Sequence, residues 1–295
     1  MRSELLRYLR CPVCAGELST AAHQPGATGA VRCSRGHSFD VARQGYLNLL
    51  TEQAPIAGDT AQMVAARAEV FAAGHFDFLT DAIVTTATAE GTVAEDPAGC
   101  AGGLAVDVGA GTGGHLAAVL DALPSCEGIA LDLAKPAARR AARAHPRMGA
   151  VVCDVWRGLP VADGCADLLL DVFAPRNGPE FRRVLRPDGV AVVVTPRADH
   201  LGEIVVPLGL IGVDPDKESR VARSLERWLR PQDEREYATT LVLSRPDVVR
   251  LVGMGPSARH VDPAQLNERV ATLPEPVEVT AAVRVTPFSP RSDVR

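Results

Sequence analysis

Long apolar runs are missing from this chain of 295 residues. No stretch approaches the roughly 18 residues that a membrane-spanning helix needs. Met1–Arg10 also lacks the apolar centre of a signal peptide, so the expectation is a cytoplasmic protein with no membrane partner. Aromatic side chains are scarce, at two Trp, three Tyr and seven Phe, which argues against the broad stacking platforms of general single-strand binders. Net basic charge is absent too: 31 Lys and Arg face 36 Asp and Glu, for −5 overall. The sequence shows no internal repeat, no low-complexity tract and no paired-cysteine framework. Four of its seven cysteines, Cys100, Cys126, Cys153 and Cys165, are scattered and read as inert thiols in a reducing compartment. The rest is ordinary for a soluble globular protein, 46% hydrophobic and 23% charged. The length suits one large domain, or a small one plus a large one.

The other three cysteines are organised. Cys11-Pro-Val-Cys14 and Cys33-Ser-Arg-Gly-His37 form two knuckles separated by 18 residues. A two-residue spacer lets one tight turn aim two ligands at a single ion, and zinc prefers tetrahedral thiolate and imidazole ligation. Cys11, Cys14, Cys33 and His37 would fill all four positions, which marks a structural rather than a catalytic site. A thioredoxin-like redox pair should instead open a helix in a βαβ unit. Here Ala15–Arg32 carries Pro25, Gly26 and Gly29 and reads as a ribbon-like loop. Residues 1–50 hold six Arg and three acids, or +3, which leaves −8 on the remaining 245. A basic metal knuckle on an acidic body suggests a polyanionic partner; the alternative is a small surface imbalance without consequence.

Beyond the knuckle the pattern predicts a helix capped by Asp59 or Thr60 and running to about Ala73, and another from about Phe76 to Ala89. From Leu104 it alternates between strand and helix. Strands are expected at Leu104–Val108, Ile129–Asp132, Val151–Asp154, Asp167–Phe173 and Val190–Thr195, with Arg186–Gly189 as a turn. Thr239–Leu243 and Val277–Val285 add two expected edge strands. Such alternation means a parallel sheet covered by helices on both faces. Three units follow: a metal-binding, RNA-recognition module at 1–50 lying outside the sheet, a helical connector at 51–103 and an α/β domain at 104–295.

Asp107-Val-Gly109-Ala-Gly111-Thr112-Gly113-Gly114 follows a strand and opens a helix. Its glycines permit a tight turn and close ligand approach. The run also satisfies the dinucleotide fingerprint. Asp132 ends the next strand, where ribose hydroxyls would lie, and Asp154 ends the third, where an adenine amino group would. Asp107 suits an ammonium-bearing amino-acid moiety, and Leu185-Arg-Pro-Asp-Gly189 sits where class I methyltransferases carry a similar turn. Together these point to a Rossmann-like doubly wound sheet that binds S-adenosylmethionine rather than NAD.

Over nearly its full length the chain resembles the RlmA-type 23S rRNA guanine-N1 methyltransferases. The matching runs are Cys11–Cys14, Gly36–Leu50, Asp59–Arg67, Gly74-His75-Phe76, the glycine loop, Phe173-Ala-Pro175 and Thr195–Leu201. Lys135–Pro146 and Val172–Asn177 are similar to the actinomycete macrolide-resistance branch. The resemblance implies zinc on the four knuckle ligands, and Phe76, the glycine loop and His200 against S-adenosylmethionine. It implies methyl transfer to a guanine of a 23S rRNA hairpin, with macrolide resistance as the consequence and a homodimer left open. The knuckle loop, with His23 inside it, is longer than in shorter members. Loss of the N1 proton needs a base or a route to solvent. Asp171 is the candidate base, and it reads equally as a solvated strand residue. A small-molecule methyltransferase and a non-catalytic zinc-containing RNA-binding protein are the competing readings.

Overall fold

The computed structural model describes residues 1–20, 29–52, 57–89, 102–212 and 224–293. A 3-10 turn, Ser3–Tyr8, leads into the first knuckle. Strands β1 (Leu18–Thr20), β2 (Ala30–Cys33) and β3 (Ser38–Asp40) form a small antiparallel sheet that carries the second knuckle. Pro25, Gly26 and His23 lie outside the described residues. β4 (Leu47–Asn48) then leaves this ribbon. Helix α1 (Ala61–Ala72) starts at Thr60, whose Oγ1 accepts the Met63 N–H at 3.2 Å, as expected of an N-cap threonine. Helix α2 spans Asp77–Ala89. The end of the expected helical connector, residues 90–101, lies outside the described residues.

The alternating region follows as β5 (Leu104–Val108), α3 (Gly114–Ala122), β6 (Glu127–Asp132), α4 (Lys135–Ala141) and β7 (Met148–Val152). Next come β8 (Ala166–Val172), α5 (Gly178–Val184), β9 (Leu185–Pro196) and α6 (Gly202–Leu208). Arg186–Gly189 belongs to β9 rather than to a separate turn. It is accommodated by a register shift, with Ala166 opposite Leu185 but Leu168 opposite Val190. The tail adds β10 (Leu229–Pro231), β11 (Arg235–Leu243), α7 (Arg245–Gly253), α8 (Pro263–Ala271) and β12 (Val277–Pro290).

One nine-stranded sheet results, in the order β10-β12-β9-β8-β5-β6-β7-β4, with β11 also on β12. Pairing is parallel from β4 to β9 and antiparallel where β12 joins. The expectation of two edge strands in the tail holds for β11 and fails for β12. Residues 283–288 pair with β9 and 277–285 with β11, so β12 is interior. Strand order reverses between β5 and β8, the switch point outside which α/β sheets bind ligands.

The separation at residue 50 is corrected as well. Leu47 and Asn48 pair in parallel with Val151 and Val152, so β4 is a strand of the large sheet. Leu5, Leu9, Leu47 and Leu49 share one buried cluster with Val106, Ile129, Val151 and Phe181. On the opposite face Leu79, Ile83, Leu116 and Leu120 from α2 and α3 cover the same strands. Ribbon, connector helices and sheet therefore share their cores. No helix among the described residues is long and apolar enough to cross a membrane.

Candidate metal centre and cofactor cleft

Each knuckle turns tightly through a residue in the left-handed region: Ala15, just after Cys14, at φ 56° and Gly36, just before His37, at φ 84°. The turns close by Ala15 N–H to the Cys11 carbonyl at 2.8 Å and Gly36 N–H to the Cys33 carbonyl at 3.0 Å. Backbone N–H groups of Val13 and Cys14 face the Cys11 sulfur, and those of Arg35 and His37 face the Cys33 sulfur. The donor atoms of Cys11, Cys14, Cys33 and His37 all lie within 4.8 Å of one another. Cys14 and Cys33 sulfurs are 3.7 Å apart, while His37 Nδ1 is 3.6 Å from Cys11 and 3.3 Å from Cys33. Tetrahedral bonds of about 2.3 Å require donors about 3.8 Å apart, so the set fits zinc. The site has four protein donors and so no open position. Burial pushes the thiols of Cys126 and Cys165 up to about 12 and about 11, consistent with inert groups; Cys100 lies outside the described residues.

The glycine loop leaves the carboxyl end of β5 at the switch point. Gly109, Gly111 and Gly113 all have positive φ, and Gly113 caps α3. Their neighbours differ. A Cβ on Gly109 would come 2.6 Å from that of Ala174, so this glycine admits the segment after β8. A Cβ on Gly111 would come 3.2 Å from Arg67 Nη1, on the connector helix α1. Thr112 is half-buried within the turn. Asp107 is buried, and burial together with the Asp132 charge pushes its carboxyl up to about 8. A cationic ligand group there would relieve that cost. Asp132 accepts the Gly111 N–H at 2.8 Å on one oxygen and the Ala134 N–H at 2.7 Å on the other. Each oxygen keeps a lone pair for a hydroxyl donor. Asp154 lies just beyond β7 and accepts the Trp156 N–H at 3.1 Å. An S-adenosylmethionine cradle fits these donors and left-handed turns.

Phe76 is 2% exposed and belongs to the core beneath the loop. The aromatic nearer the loop is Phe71, which stacks on Phe76 at 5.8 Å and lies 3.5 Å from where a Gly114 Cβ would be. Arg67, held by Asp59 at 2.8 Å and by the Met254 carbonyl at 3.0 Å, also faces the loop. Sequence reasoning missed Arg67 and Phe71 as cleft residues. Their signal was the 59–67 run itself and an aromatic at the end of the α1 stripe. His200 follows β9 with its ring 5.8 Å from that of Phe173, at the carboxyl ends of adjacent strands. Asp171 is fully buried, with Arg176 Nε 3.6 Å from its Oδ1.

The profile described as "RlmA, N-terminal", a zinc ribbon, matches residues 9–54, and a methyltransferase-domain profile matches 105–189. A Streptomyces fradiae protein named 23S rRNA (guanine(748)-N(1))-methyltransferase is 47% identical over 291 residues, covering 98% of this chain and 99% of that one. A Micromonospora griseorubida protein bearing the same kind of name, without the position, is 56% identical over 98% of this chain and all of its own length. A Bacillus subtilis relative, also named for guanine-N1 methylation of 23S rRNA, is 32% identical over 66% of each chain. With ribbon and methyltransferase sheet matched in the same order over almost the whole length, this chain belongs to the RlmA-type 23S rRNA (guanine-N1)-methyltransferase family.

Proposed function

We propose that this protein methylates N1 of a guanine in a 23S rRNA hairpin, in the cytoplasm, and thereby confers macrolide resistance. The observation that carries this reading is the near-full-length match to relatives named for that reaction, with the four knuckle ligands and the glycine loop both intact. S-adenosylmethionine, when bound, supplies an electrophilic methyl group; the chain's own work is positioning and proton management. Asp107, Asp132 and the glycine loop hold the cofactor's polar ends, and Asp154 bounds the adenine side. The zinc ribbon offers Arg32, Arg35 and Arg43, all exposed, to RNA phosphates. Arg10 is less available, since its Nη1 donates to the carbonyls of Arg7 and Leu9 at 2.9 Å.

N1 of neutral guanine carries a proton that must leave. Asp171 fits poorly as its acceptor, because its buried carboxylate faces Arg176. It is better suited to anchoring the 173–177 segment that rests on Gly109. A guanine presented edge-on must be looped or flipped out of its helix. Primer extension on 23S rRNA from cells with and without the gene tests the reading. A stop at one guanine, at the position equivalent to 748 in the S. fradiae relative's name, is expected only with the gene, together with raised macrolide tolerance. Transfer to small metabolites but not to rRNA would overturn it.

A further inference from the structure

Cations are concentrated on one helix face that neither the metal centre nor the glycine loop uses. The 21 residues between Asp132 and Asp154 hold Lys135, Arg139, Arg140, Arg143 and Arg147 and no acid, in a chain that is −5 overall. Arg147 is spent on structure, its guanidinium donating to the carbonyls of Leu120, Leu123 and Cys126. The other four are exposed, and none of their side chains is paired among the described residues.

Helix α4 arranges them. Lys135, Arg139 and Arg143 recur every four residues and so lie in one row, with Arg140 beside it. The Ala142 N–H donates to the Ala138 carbonyl at 2.9 Å, so the helical path continues to the edge of Arg143. At 1.5 Å per residue the row runs about 12 Å. Ala137, Ala138 and Ala141 form the buried side of the helix, which leaves the cations outermost.

Such a row opposes its own helix. Like charges four residues apart repel, and a lysine at the amino end faces the positive pole of the helix dipole. Arg139 and Arg140 suit the negative carboxyl end, but that does not account for Lys135. The bordering acids are committed elsewhere: Asp121 to His145 at 3.2 Å, Glu127 to Arg7 at 2.9 Å and Asp59 to Arg67 at 2.8 Å. Anions from outside the chain would relieve the repulsion.

The row also joins cleft to ribbon. It starts at the cofactor cleft, where the Ala134 N–H donates to Asp132 at 2.7 Å. It ends at the turn that follows β3, where a Cβ on Gly45 would lie 3.6 Å from that of Ala142. Exposed Arg43 belongs to that turn.

We infer that the exposed face of α4, continued by Arg43, binds the phosphate backbone of the RNA substrate between the ribbon and the cleft. This rests on the 23S rRNA reading above. A protein partner fits less well, because between its cations the helix offers alanine and proline and no aromatic anchor.

The test measures binding of a 23S rRNA hairpin to the full-length protein across salt concentrations. In Arg139→Gln/Arg140→Gln/Arg143→Gln the slope of log K against log salt should be shallower by about 2–3, and Kd at about 0.15 M salt should rise about tenfold. Arg139→Lys/Arg140→Lys/Arg143→Lys keeps the charge and should bind like wild type. The glutamine triple should melt close to wild type, with an unchanged Kd for S-adenosylhomocysteine, because these side chains make no contact within the described chain. Arg227, Arg230 and Arg235 are exposed at the other end of the sheet. Their replacement by Gln should leave the slope as in wild type, since exposed charges more than roughly 8 Å apart are screened at that salt. Wild-type affinity and slope in the α4 triple overturn the inference, as does an equal loss in the distant triple. If polyglutamate binding is lost while RNA binding is kept, the face belongs to an acidic polypeptide instead. A wild type that methylates the hairpin while the α4 triple binds it normally overturns this inference alone. A wild type that neither binds nor methylates it overturns the proposed function and this inference with it.

Discussion

Asp107 carries a buried-charge cost that either a proton or a cationic ligand group would relieve. Its carboxyl is pushed from an ordinary value near 4 to about 8 by burial and by Asp132. The folded state therefore holds a proton that the unfolded chain has lost between those values. Stability from this group is present at low pH and falls as pH rises toward about 8. A cationic amino group arriving there displaces the proton, so affinity for S-adenosylhomocysteine should rise by up to tenfold per unit between about pH 6 and about 7.5. Asp107→Asn should flatten that slope; calorimetry at several pH values reads both. Gly111 tests the loop. Gly111→Val forces a β-branched side chain to φ 56° and against Arg67. It should abolish S-adenosylhomocysteine binding in the same assay and cost about 1–3 kcal/mol of stability. Asp107, the glycines and Asp132 were legible because a loop between strand and helix places them by local spacing alone. Arg67 and Phe71 were not, since they reach the cleft from a helix packed across it. Phe76, expected at the cofactor, is the buried ring beneath Phe71.

The zinc ribbon is the element most fully written into local sequence, because each knuckle closes within five residues and two backbone turns aim its ligands. Cys14→Ser should take bound zinc from one per chain to nearly none by elemental analysis. Since metal binding and folding are one free energy in such modules, hydrogen exchange should show protection lost over residues 11–40. The body beyond residue 60 should stay protected. The strands β5 to β8 and the helices α1 to α3 were also legible, from short apolar runs bounded by glycine or capped by Thr60. The tail was not. Whether Val277–Pro290 lies at an edge or inside depends on its pairing with β9, about ninety residues earlier in the chain, and no local period encodes a partner. Nor does local pattern reveal that two residues, Leu47 and Asn48, suffice to add a strand.

That short strand governs how the whole molecule holds together. Leu5, Leu9, Leu47 and Leu49, each at most 2% exposed, bury about 1.5–3 kcal/mol of hydrophobic stabilisation apiece. Their sum is comparable to the net stability of a domain. A fragment beginning at residue 51 should therefore lose cooperative unfolding and S-adenosylhomocysteine binding, contrary to a view of the ribbon as a detachable reader. Leu47→Ala alone should cost about 2–5 kcal/mol, measured by denaturant unfolding with m unchanged. The interior position of β12 has a consequence for synthesis. Chains emerge from the ribosome amino end first and fold in that order. The ribbon and all the parallel strands are thus exposed before the strand that clamps His200 through Ala282 has been made. A nascent chain is in the presence of ribosomal RNA throughout its own translation, yet its sheet still lacks the strand that pairs with β9. The order of strands along the polypeptide thus sets a schedule in which the sheet closes over β9 only after β12 has been translated.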